Sequence, residues 1–138
     1  MVFHYRATKK KYASYTKPNA CPFCDRKMIV EKIAETAHAF IVPNRVFYDL
    51  WELRTVTNHL LVIPKRHVRS LSELTKAERL DIMNVLADYE GNDYNVYARA
   101  VNSLQRSVAH QHTHLIKTGT RQGRFSIFLK KPYFLLKF

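Results

Sequence analysis

The chemistry-bearing residues crowd into one short run, His110-Gln111-His112-Thr113-His114-Leu115-Ile116. Three histidines stand at every second position. A β-strand sends alternate side chains to one face, so a strand here lines one surface with three imidazoles. A helix would scatter them. An imidazole serves as neutral nucleophile, proton carrier, phosphate-binding cation or metal ligand. Three on one face therefore mark a chemical site or a metal site. A second candidate is Cys21-Pro22-Phe23-Cys24, whose C-x2-C spacing presents two thiolates to one metal. The chain has only two cysteines, so two further ligands must come from elsewhere. A redox dithiol lacks the βαβ pattern that would support it. Two buried free thiols, or a pair holding no metal, are the other readings.

These residues need elements to position them. His59-Leu60-Leu61-Val62-Ile63-Pro64-Lys65-Arg66-His67 contains a buried-type strand, Leu60 to Ile63, stopped by Pro64. Residues 28–34 read as strand-like, and Ala37 to Val42 as a short strand ended by Pro43 and Asn44. Arg45 to Thr57 has many apolar residues and no clean period. Thr75-Lys76-Ala77-Glu78 matches a capping box, followed by Ile82, Val85, Leu86 and Tyr89 at helical spacing, with Gly91 and Asn92 as the stop. Tyr94 to Val101 alternates as a strand close enough to pair antiparallel with the histidine strand. Phe125 to Phe138 is aromatic and basic, and reads as a final strand or an apolar tail packing on this or a second subunit. Strands flanking one long helix predict an α+β domain.

At 138 residues the chain suggests a single domain, with residues 1–20 as a basic arm and 21–138 as the folded unit. A hydrophobic content of 46% is globular rather than disordered. No apolar run is long enough to span a bilayer and no secretory signal is visible, so a cytoplasmic protein without membrane partners is expected. The net charge of +12 favours an anionic partner or simply a basic surface. Lys9-Lys10-Lys11, Arg6 and Lys17 interleave with Tyr5, Tyr12 and Tyr15, a pattern that tracks phosphates and stacks on bases, or that makes a solvated tail.

The histidine run resembles the signature of the histidine triad (HIT) superfamily. Ser107-Val108-Ala109 resembles the approach to that triad, and the His59–His67 block resembles the family's second landmark, His-x-Leu-Val-Ile-Pro-Lys-x-His. With the cysteine pair, the resemblance covers residues 21–117. It implies an antiparallel sheet of about five strands with one long helix and a shorter one, behind a zinc-knuckle N-terminal segment. It also implies a homodimer.

The resemblance implies a nucleotide hydrolase or nucleotidyltransferase. It would cleave at the α-phosphate of dinucleoside polyphosphates, nucleoside phosphoramidates or nucleotidylated molecules through a nucleotidyl-histidine, with no catalytic metal required. His112 would be the nucleophile, His114 the phosphate contact, and Ser107 the holder of the phosphate and leaving-group side. A structural zinc would take Cys21, Cys24, His67 and His110, as in zinc-bearing relatives. His59 would pack near the nucleotide, or be a satisfied core histidine. His38 and His4 have no motif support.

The chain departs from the family where Asn102-Ser103-Leu104-Gln105-Arg106-Ser107 replaces a glycine-rich stretch; glycine occurs only at 91, 119 and 123. Arg106 either supplies a full charge to a phosphate or faces solvent. Asn44 is the nearest ribose-binding candidate, with Val42 in an alternative alignment. Two other functions stay open: deadenylation of nucleic-acid ends through the basic arm, and nucleotide binding without turnover.

Overall fold

β-branched and aliphatic runs become strands wherever a neighbouring strand can bury them. The computed structural model describes residues 2–3, 21–25, 29, 31–122, 126–130 and 133–137. Among these, strands β1 (Val2–Phe3), β2 (Ala34–Glu35), β3 (Ala39–Pro43), β4 (Leu50–Trp51), β5 (Arg54–Pro64), β6 (Asn95–Tyr97) and β7 (Thr113–Gln122) form one antiparallel sheet. Its main run is β2-β3-β5-β7-β6, and β4 extends the β3 side of β5 with β1 beyond it. A separate two-stranded ladder joins β8 (Ser126–Lys130) to β9 (Tyr133–Lys137), so the C-terminal segment holds two strands rather than one.

Strand β5 is the spine. Leu60 pairs with Leu115 and Val62 with Thr113 on one face; Leu61 pairs with His114 and His59 with Ile116 on the other. Leu60, Leu61, Val62 and Ile63 are all buried, as a strand covered on both faces must be. The single α-helix resolved in full among the described residues, α1 (Lys76–Glu90), covers the first face through Ile82 and Val85, which meet Ala39, Ile41, Leu60, Val62 and Leu115. Each fully buried aliphatic side chain here contributes about 1.5–3 kcal/mol. The opposite face carries the histidines, with Val42, Leu61, Ile63, Phe23 and Phe40 at one end and Tyr48, Val56, Ile116, Trp51 and Tyr97 at the other.

The capping box forms as expected: the Thr75 hydroxyl accepts from the Glu78 amide, and the Glu78 carboxylate accepts from the Thr75 amide. Glu78 also takes both arms of Arg66, at 2.9 and 2.8 Å, which ties the end of the β5 block to α1. Gly91 does end α1, but in right-handed conformation (φ −61°); Asp93 is the residue that turns left-handed, at φ 65°.

Several sequence expectations are corrected. Ile29 is helical and the Lys32 amide closes a turn onto it, so residues 28–34 are not one strand; only Ala34–Glu35 pairs. A shorter helical segment among the described residues is the 3₁₀ turn Leu71–Glu73, just before α1. Strand β5 begins six residues before Leu60, because the tight turn Glu52-Leu53 folds β4 back onto Arg54. Both turn residues have positive φ, 49° and 64°, the geometry of a two-residue hairpin normally made by Asn-Gly. β6 covers only Asn95–Tyr97 of the expected Tyr94 to Val101, since the chain then leaves the sheet edge to form the pre-triad turn. Of residues 1–20, Val2–Phe3 joins the sheet through β4; the rest of the arm, including His4, lies outside the described residues.

Candidate active site and metal centre

Only His114 of the three histidines belongs to the β7 ladder, which starts at Thr113. His110 and His112 precede it, His110 in a bend, pinned where the Gln111 amide donates to the Val68 carbonyl at 2.7 Å. All three are buried and share one face: the His112 and His114 ring centroids are 5.1 Å apart, and the Phe23 ring stands edge-on to His112 at 5.0 Å and to His110 at 6.0 Å.

Backbone contacts fix which nitrogen of each ring carries the proton. His110 Nε2 lies 2.9 Å from the Pro64 carbonyl, so it donates and Nδ1 keeps its lone pair. His112 Nδ1 lies 2.9 Å from the His110 carbonyl, so it donates and the lone pair falls on Nε2. The Tyr48 amide donates to His59 Nδ1 at 3.0 Å, which leaves His59 a single N–H, at Nε2. That N–H meets His114 Nδ1 at 2.9 Å, so His114 accepts there and presents Nε2–H. Burial pushes the pKa of His110 and His112 down, and burial followed by the nearby His59 and His112 pushes His114 down to about 2. Neutral imidazoles in single tautomers are the result.

His110 turns its lone pair away from His112 toward the cysteines. Its Nδ1 is 3.5 Å from both Cys21 Sγ and Cys24 Sγ, and Cys24 Sγ is 3.1 Å from His67 Nδ1. The four donor atoms lie within 4.8 Å of one another. A tetrahedral site with Zn–S of about 2.3 Å and Zn–N of about 2.0–2.1 Å has S···N edges of about 3.6 Å. The two 3.5 Å separations match that edge, and the soft two-thiolate, two-imidazole set fits a closed metal site. Burial, with Cys21 beside it, pushes the Cys24 thiol up to about 11, a proton that a bound cation would displace.

The remaining expected residues distribute unevenly. Ser107 is exposed and lines a cleft of about 270 Å³ with Cys21, Pro22, His67, Val108, Ala109 and His110, on the metal side rather than beside His112 and His114. Arg106 holds the pre-triad turn: it donates to the carbonyls of Val108, Arg69 and Ala109 and to the Gln111 amide oxygen. It thus closes, through a side chain, a turn whose glycines are missing. Asn44 lies against the His59 ring, Nδ2 3.2 Å from Nε2, while its Oδ1 accepts from the Val46 amide. His38 uses its amide to bond Asp81, at a half-buried position.

Four residues beside His114 escape sequence reasoning. Tyr48 stacks on His114 at 5.3 Å and on Trp51 at 6.1 Å; Trp51 meets Tyr97 at 5.0 Å. Arg99 donates to the Tyr48 hydroxyl at 3.1 Å, which is 3.4 Å from His114 Nε2. The aromatic density of residues 47–51 was the available signal, but it has no period.

Comparison with known proteins gives a consistent answer. The HIT-domain family matches residues 35–121. The fold is similar to a HIT family hydrolase from Clostridium thermocellum, at 18% identity and a TM-score of 0.55 over 78% of this chain and 96% of that one. It is also similar to a hypothetical protein from Leishmania major, at 26% identity and 0.56 over 86% and 82% of the two chains. A third likeness is to a histidine triad nucleotide-binding protein from Candida albicans, at 22% identity and 0.54 over 83% and 84%. No curated protein matches the sequence.

Proposed function

The chain belongs to the HIT-domain family, and on that premise we propose that it is a nucleotide hydrolase or nucleotidyltransferase acting at an α-phosphate, on dinucleoside polyphosphates, nucleoside phosphoramidates or nucleotidylated molecules. The observation that carries this reading is the His112 tautomer: Nδ1 is spent on the His110 carbonyl, so the lone pair sits on Nε2. His112 Nε2 attacks phosphorus, a P–N bond forms, and the bond to the leaving group breaks with its electron pair. The His114 Nε2–H lies beside this centre as donor to a phosphate oxygen or the departing atom. Water then cleaves the phosphoramidate and restores neutral His112. Asn44 and His59 would hold the nucleotide side, and Ser107 a leaving group reaching into its cleft. Arg106 would act on phosphate by shaping the pre-triad turn.

Zinc is the cation we assign to Cys21, Cys24, His67 and His110. It would supply no chemistry to the reaction; it would fasten residues 21–24, and with them Phe23, onto the triad. A homodimer, read by sedimentation, accompanies the proposal. The test is turnover of a panel of adenine and guanine substrates of these classes. Wild-type protein should hydrolyse at least one, and His112→Ala should lose at least about 10³-fold, the scale for removing a nucleophile. Equal turnover by His112→Ala would refute the mechanism.

One observation favours a second reading, release of adenylate from nucleic-acid ends. Residues 1–20 and 121–138 each carry five Lys or Arg and no Asp or Glu, so they hold ten of the twelve net charges. That reading expects oligonucleotide affinity to fall steeply with salt; weak, salt-insensitive binding counts against it.

A further inference from the structure

Phosphoryl transfer needs positive charge on the phosphate oxygens, and the histidines described above do not supply it. His59 accepts at Nδ1 from a backbone amide, so it carries one proton; His114 accepts that proton's hydrogen bond at Nδ1, so it too carries one. His114 is a neutral donor for as long as this chain of bonds holds. Arg106 spends Nε and Nη2 on four acceptors around the pre-triad turn, and its Nη1 is buried without a hydrogen-bond partner among the described residues. Arg66 is paired with Glu78, and Lys32 and Lys65 with Glu35. Arg99 is the cation joined to His114 through one shared oxygen, the Tyr48 hydroxyl.

Its position suits the task. Arg99 follows β6 and lies over the rings of Tyr97, at 5.3 Å, and Tyr48, at 6.0 Å. Its Nη2 and the Nε2 of His114 converge on one oxygen, the Tyr48 hydroxyl, from 3.1 and 3.4 Å. Two N–H donors that already meet at one oxygen are spaced to bind two oxygens of one tetrahedral phosphate. A guanidinium matches that group in charge and in forked geometry. Tyr48 is buried and stacked between His114 and Trp51, which fixes the point from which Arg99 acts.

We propose that Arg99, positioned by Tyr48, is the cationic phosphate-binding residue of this site, and that it selects substrates whose reacting phosphorus bears anionic oxygens. This deepens the hydrolase reading and rests on it for the identity of the reaction, but the anion site itself is testable apart from turnover.

The experiment is calorimetric titration of wild-type protein, Arg99→Gln, Arg99→Lys and Tyr48→Phe with adenosine 5′-monophosphate, inorganic pyrophosphate and adenosine. Arg99→Gln should weaken the monophosphate and pyrophosphate by about 10- to 100-fold, the range for a hydrogen bond to a charged group, and leave adenosine within twofold. Arg99→Lys should recover part of the loss, and Tyr48→Phe should fall between wild type and Arg99→Gln. If Arg99→Gln fails to fold, the Lys and Phe variants carry the comparison. Phosphate affinity within twofold of wild type in the Arg99 variants overturns the proposal, as does an equal loss for adenosine, which marks a merely structural role. Arg99-dependent binding without turnover of any substrate sustains the anion site and refutes only the hydrolase reading. A wild-type protein that binds neither anion refutes both.

Discussion

His110 and His112 are two residues apart and share one flanking aromatic ring, Phe23, yet turn to different partners. His110 turns Nδ1 to a pair of thiols, and its partners Cys24 and His67 are exposed. His112 turns Nδ1 to a carbonyl, which puts its lone pair on Nε2, beside a buried group made of His59, His114 and Tyr48. Under the proposed function, the same residue type serves as ligand or nucleophile according to which nitrogen the backbone occupies. The proposed metal side draws four donors from three chain segments and closes them. The proposed catalytic side draws donors from β5, β7 and two loops and keeps a nitrogen uncommitted.

The contrast can be broken from either side. The largest effect is expected on the metal side. Stripping the cation, or replacing Cys24 with Ser, should remove about 4 kcal/mol of stability when measured against metal present at 1,000 times its Kd, read as a shift in thermal midpoint. Equal midpoints with and without metal would mean that the four residues hold none. On the catalytic side, His59→Phe removes the donor that fixes the His114 tautomer. Turnover should fall about 10- to 100-fold, as expected when an outer hydrogen-bond partner is lost, with metal content unchanged. A loss of metal in this variant would show that the two sites are not separable.

A smaller change sits at the hairpin that carries Trp51. Leu53 occupies a left-handed position at φ 64°, where an L side chain costs about 1–2 kcal/mol. Leu53→Gly should raise stability by about 1 kcal/mol in chemical denaturation; a decrease would show that the side chain packs well enough to offset the strain. The smallest effect appears only in acid. Arg66 and then the Thr75 amide hold the Glu78 carboxyl down to about 2 from an ordinary 4.5. A carboxyl held low stabilises the fold above its unfolded-state value, and that contribution fades as pH falls from 4.5 toward 2. Glu78→Gln should therefore flatten the acid limb of stability against pH, and an unchanged limb would assign acid sensitivity to other groups.

Legibility in the sequence divides along the same line. His110, His112, His114, Cys21 and Cys24 stood out because their spacings are local and chemically specific; His67 joined them only through the family resemblance, and the antiparallel sheet and long helix followed from the blocks around them. Tyr48, Trp51, Tyr97 and Arg99 were not. They come from a segment whose hairpin lacks the Asn-Gly signal, and from a strand that stops after three residues. The first half of β5 was hidden by Thr55, Thr57 and Asn58, which are exposed and polar although the backbone pairs. Arg106 was legible as unusual; its use on backbone carbonyls depends on a turn geometry that no spacing encodes.

The most direct test of the central claim is intact-protein mass spectrometry after brief incubation with the substrate panel, quenched without acid because a phosphoramidate is acid-labile. The account predicts a mass gain of one nucleoside monophosphate on wild-type protein that is absent from His112→Ala. Turnover with no adduct at any time point, or an adduct of the same size on His112→Ala, would contradict it.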